Sequence, residues 1–89
     1  MHSAIDFTIL NISRTGICIE TSHPMKTGKT YLLEMKLVIK HFSEIVRAEY
    51  VVMNENRMGS TYHYGCQIVN ISPSDAALLE KYLNIASKP

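Results

Sequence analysis

From Thr30 to Lys40 the chain alternates: Tyr31, Leu33, Met35, Leu37 and Ile39 share one face, and Glu34, Lys36 and Lys40 the other. Side chains of an extended chain point alternately to the two faces of a sheet, so this period predicts a half-buried strand. A helix would set Glu34 among the apolar residues. A turn over His41–Ser43 leads into Glu44–Met53, where Val46, Ala48, Tyr50 and Val52 alternate against Arg47 and Glu49. The two runs predict a long antiparallel hairpin. Upstream, Phe7–Asn11 is a short apolar and β-branched run, and Ile17–Thr21 sets Ile17 and Ile19 against Cys18 and Glu20. His23-Pro24 and Thr27-Gly28-Lys29 mark a loop between them and the hairpin. Asn54–Ser60, polar and carrying Gly59, predicts another loop, and Tyr62–Val69 a last strand interrupted at Gly65.

The period then changes. Ser72 suits a helix cap, Pro73 the first helical position, and Asp75 completes a capping box. Leu78, Leu79, Tyr82, Leu83 and Ala86 recur at helical spacing opposite Glu80 and Lys81. The expectation is one domain over residues 1–89, mainly β, with strands within 7–69 and a C-terminal helix over about 73–86 covering one end or face of the sheet.

Totals narrow the function. The 89 residues, 46% hydrophobic and 19% charged, describe an ordinary globular chain whose core is small. A formal net charge of +1 gives no global field to hold nucleic acid. No strand presents paired exposed aromatics for bases to stack on, so a nucleic-acid-binding barrel is disfavoured. Met1-His2-Ser3-Ala4 has no basic segment followed by an apolar run, and no stretch reaches membrane-spanning length. A cytoplasmic protein without membrane attachment is the expectation. Cys18 and Cys66 form no CxxC pair; a single disulfide is open to them, but two reduced, buried thiols fit a cytoplasmic setting better. His2, His23, His41 and His63 are scattered singly, without metal-ligand spacing, and no nucleophile–base arrangement or phosphate loop is present. No enzyme, cofactor or metal site is predicted.

One segment carries candidate chemistry. In Asn11-Ile12-Ser13-Arg14-Thr15-Gly16, between two short strands, Asn11 can bond to neighbouring backbone or to the edge of a base. Ser13 offers a small hydroxyl, and Gly16 suits a backbone position that needs positive φ or close contact. On residue types alone a plain Asx-type turn closing a hairpin is the favoured reading of the segment.

These residues resemble the (D/N)-x-S-x-x-G pattern of the PilZ domain family. The likeness continues through Ile17-Cys18-Ile19-Glu20, a loop with Pro24 and Gly28, two long strands, and Tyr64-Gly65-Cys66-Gln67-Ile68, which is similar to the family's yG-x-x-F strand. A short helix ending in Tyr82-Leu83 completes it, so the resemblance runs from about Phe7 to Leu83. It implies a small antiparallel β-barrel of about five strands here, non-catalytic, that receives cyclic-di-GMP. It further implies that Asn11 and Ser13 meet a guanine, with Gly16 in the turn and Arg14 as auxiliary. An R-x-x-x-R segment supplies the family's other contacts, and none occurs in these residues. Two charge-assisted bonds, at about 1.5–3 kcal/mol each, correspond to about a hundred- to ten-thousand-fold in affinity. Three readings follow: an adaptor of the same fold acting through protein contacts without nucleotide; a chain whose true start lies upstream of Met1; or a site completed by a second subunit. The partner implied is a protein of a motility, pilus or exopolysaccharide system. With one strand fewer than the family, an unpaired edge is expected to drive self-association through that edge or through the helix.

Overall fold

Inward-facing side chains of four strands set the architecture. In the computed structural model, which describes residues 5–88, β1 (Thr8–Ile12), β2 (Gly16–Thr21), β3 (Thr30–Ile39), β4 (Phe42–Met58) and β5 (Thr61–Ile71) precede one helix, α1 (Pro73–Ala86). The strands form a single antiparallel sheet in the order β1-β2-β5-β4-β3. Leu33 lies opposite Ala48 and Met35 opposite Val46, so the alternating rows of the hairpin bury the same face. Ile17 and Ile19 from β2, and Tyr64 and Cys66 from β5, extend that row across the sheet. Removing each such aliphatic side chain from water favours the fold by about 1.5–3 kcal/mol.

The sheet curls around this row into a half-barrel. Its outermost strands, β1 and β3, share no ladder, yet Ile9 from one and Glu34, Met35 and Lys36 from the other line a single groove of about 340 Å³, together with Ile5, Asp6 and Phe7. Three bulges help the sheet bend. Ile9 pairs with Ile19 but Asn11 with Cys18, leaving Leu10 as an extra residue. Between β4 and β5 the register slips at Met53 and again at Val69. All three extra residues are among the exposed large apolar side chains. A bulge inserts one residue, sharpens the local twist and throws a side chain out of alternation.

The β2–β3 connection crosses one end of the half-barrel. Met25 is buried there, its N–H donating to the Tyr64 hydroxyl at 2.8 Å. Gly28, at φ 88°, donates its N–H to the Val52 carbonyl at 2.8 Å. At the other end α1 packs on β3 and β4. Leu79 is its buried residue, and the Tyr82 ring lies 5.9 Å from that of Phe42. Ser72 caps the helix as expected, its Oγ accepting from the Asp75 N–H at 3.1 Å and donating to Asp75 Oδ2 at 2.8 Å. Asp75 also accepts from the Arg47 N–H at 3.2 Å, so the residue that starts the helix ties it to β4.

The expected β-class barrel with a terminal helix is present, with local corrections. The hairpin turns at Lys40 and His41, not over His41–Ser43, because Lys40 adopts φ 52° and closes a two-residue loop. Phe42 thereby enters β4 and is buried. Asn54–Met58 is strand rather than loop; only Gly59 and Ser60 turn. The ladder continues past Val52, the last buried residue of β4, where both faces of that strand meet water and no alternation is required of it. The last strand reaches Ile71 rather than Val69 because the bulge at Val69 is followed by further pairing, with Ile71 opposite the buried Ala48 and packed against the core. On α1 it is Ile85 that joins the core while Ala86 is exposed. Both cysteines are free, but Cys18 is only half-buried, because the β2 alternation turns it to the outer face while Cys66 points inward.

Candidate functional site

The turn between β1 and β2 is built around Ser13. Its N–H donates to the Gly16 carbonyl at 2.9 Å, and its Oγ accepts from the N–H groups of Thr15 and Gly16 at 3.3 and 3.2 Å. The Thr15 carbonyl accepts from the Ile68 N–H at 2.9 Å and fastens the turn to β5. A serine hydroxyl that replaces a backbone partner in this way holds a tight turn without a second strand.

Gly16 is required by contact rather than by backbone angle. A Cβ there would lie 2.6 Å from the Cys66 carbonyl oxygen, and Gly16 is absent from the positions with positive φ. Of the two reasons that favour glycine, close strand approach is the operative one.

Asn11 reaches the same spot through the bulge. Strict alternation from the inward-facing Ile9 would turn Asn11 into the core. With Leu10 inserted, Asn11 pairs with Cys18 and is exposed, while Ile12 returns inward opposite Ile17. Asn11, Ser13 and Gly16 then line one depression of about 190 Å³ with Ile12, Ile17 and Cys18. That is smaller than the roughly 300 Å³ at which ordinary small-molecule pockets begin. A ligand here lies on the surface and depends on further donors.

Arg14 is directed elsewhere. Its guanidinium donates to Glu80 of α1 at 2.5 Å, with the two side chains 70% and 43% exposed. The pair fastens the turn to the helix, for about 0–1 kcal/mol as an exposed ion pair. The other arginines are also engaged: Arg47 donates to Glu34 at 2.6 Å, which holds its guanidinium above its ordinary pKa, and Arg57 lies over the Tyr62 ring. The structure thus brings together Asn11, Ser13 and Gly16 but turns Arg14 aside.

Other sequence candidates stay dispersed. His23 and His41 are exposed, and His63 lies 3.1 Å from Glu20, which also accepts from the Thr61 hydroxyl. His2 falls outside the described residues. Among the described residues no three metal-ligating side chains converge, and no helix is long and apolar enough to cross a membrane.

The PilZ domain family matches residues 2–84, nearly the whole chain. The chain belongs to the PilZ family. No curated protein and no solved structure matches it. PilZ domains are non-catalytic receptor domains, and the family is one of cyclic-di-GMP receptors. The (D/N)-x-S-x-x-G residues of this PilZ domain are those lining the depression at the β1–β2 turn.

Proposed function

We propose that this PilZ domain is a cyclic-di-GMP receptor in which the β1–β2 turn presents Asn11 and Ser13 to a guanine. The observation that carries the reading is the bulge at Leu10: it turns Asn11 out of the core to the same depression as Ser13 and Gly16. An exposed amide has both donors and acceptors for a base edge. Gly16 keeps the turn close to β5, and Arg14 reaches the ligand only by leaving Glu80. The chain acts as one domain over its 89 residues, in the cytoplasm, and its output passes to a protein of a motility, pilus or exopolysaccharide system. The facing edges of β1 and β3 favour self-association, which would also allow a second subunit to complete the site.

A second reading has its own support. All three arginines are engaged within the fold. That favours an adaptor that contacts a protein partner and binds no nucleotide.

Calorimetric titration with cyclic-di-GMP at moderate salt separates the two. A dissociation constant in the micromolar range or better, weakened about three- to ten-fold by Asn11→Ala, is expected of the receptor. Glu80→Gln, which releases Arg14, tightens binding in that case. No heat from the wild type or from Glu80→Gln rejects the receptor reading for these 89 residues and favours the adaptor.

A further inference from the structure

The tip of the β3–β4 hairpin and the C-terminal half of α1 enclose a cleft of about 490 Å³, a volume usual for small-molecule sites. Lys40 and His41 border it from the hairpin, and Lys81 and Lys88 from the helix side. Phe42 and Ile85 supply apolar lining, and Glu44 is its only acidic residue. Half of the chain's lysines therefore meet here, and the lining carries a formal charge of +2 with His41 neutral, against +1 for the whole chain.

Cations near a helix C-terminus offset its partial negative charge, which accounts in part for Lys88, just past the end of α1, but not for Lys81, which precedes the last turn. It does not account for Lys40 and His41, which arrive from another element. Nor are the three ammonium groups neutralised in place: among the described residues, no carboxylate lies within ion-pair distance of Lys40, Lys81 or Lys88. Converging cations in a concave surface raise the local concentration of anions. Lysines act as separate point charges, which suits a dianionic phosphate with three terminal oxygens better than a single carboxylate.

We propose that this cleft binds a phosphate monoester, its phosphate held by Lys40, Lys81 and Lys88 and its body resting on Phe42 and Ile85. The cleft shares no lining residue with the β1–β2 turn, so the site is independent of any nucleotide bound there.

Amide NMR of the full chain titrated with phenyl phosphate tests this, with inorganic phosphate and phenol as the charge-only and body-only probes. Saturable shifts confined to residues 40–44 and 81–88 are expected, with phenyl phosphate binding more tightly than inorganic phosphate and phenol producing none. Lys81→Gln combined with Lys88→Gln weakens binding about tenfold or more, and Glu44→Gln strengthens it. These are exposed side chains, so the variants fold, and Asn11→Ala leaves the titration unchanged. Absence of saturation, equal shifts at Lys26, Lys29 and Lys36, or indifference to the lysine pair overturns the proposal.

Discussion

The β1–β2 turn shows how one residue position can carry a structural and a recognition requirement together. Asn11, Ser13 and Gly16 were legible as a group because short polar residues and glycine cluster where strands reverse. Their individual duties were not. That Gly16 is needed for contact with β5 depends on a carbonyl fifty residues away in the chain, and that Asn11 faces outward depends on the bulge at Leu10. No local pattern encodes either. Gly16→Ala is therefore expected to lower stability by about 1–3 kcal/mol, the range for forcing a methyl group into a filled space. Ser13→Ala should cost about 1 kcal/mol by freeing two turn N–H groups. Urea unfolding of both variants checks the order. A Gly16→Ala variant as stable as the wild type would mean that β2 moves away from β5 at little cost. Because Ser13 supports the turn itself, its loss cannot separate guanine contact from folding, whereas Asn11→Ala can.

At the scale of elements, legibility followed the core. The β3 period and the inward residues of β4 as far as Val52 were readable because each alternate side chain is buried. The helix start was readable because Ser72, Pro73 and Asp75 act locally. Beyond Val52 the β4–β5 ladder runs on from Asn54–Gly65 to Met58–Thr61 with the β4 side chains exposed, so on the β4 side it rests mainly on backbone hydrogen bonds, with Arg57 lying over the Tyr62 ring. Such a ladder has little apolar contact to hold it closed. Amide exchange should therefore occur through local opening in Asn54–Met58, faster by about tenfold or more than in Val46–Val52. Equal protection along all of β4 would show that the arm opens only with the whole fold. Phe42 was misread because it sits between polar residues. The positive φ of Lys40, which no local pattern announces, sets the two-residue turn that pairs Phe42 with Ile39 and lets it pack against Tyr82.

On the scale of the whole molecule, the curl of the sheet gathers three ionisable groups into one interior: Tyr64, whose hydroxyl burial also pushes up, and the more strongly shifted Cys66 and Tyr50. Burial pushes the Cys66 thiol up to about 11 from its ordinary 9.0, with the nearby Cys18 adding to the shift. Burial likewise pushes the Tyr50 hydroxyl up to about 12 from 10.0, with Cys66 adding to it. Among the described residues the Tyr50 hydroxyl meets only the Met35 sulfur, at 3.5 Å, a weak acceptor with no charge to stabilise a phenolate. In the unfolded chain Cys66 and Tyr50 lose their protons at ordinary values, while the folded chain retains them. Above pH 9.0 the native state thus binds more protons than the unfolded state, and stability falls as pH rises. The contribution is complete below pH 9.0 and disappears as pH passes about 11 for Cys66 and about 12 for Tyr50. Urea midpoints measured across this range should decline in both portions. Cys66→Val, close in volume and without a proton to lose, should flatten the first portion and leave the second. A wild-type midpoint unchanged up to pH 11 would mean that water reaches the thiol in the folded state, and that the half-barrel is open along β5 rather than sealed there.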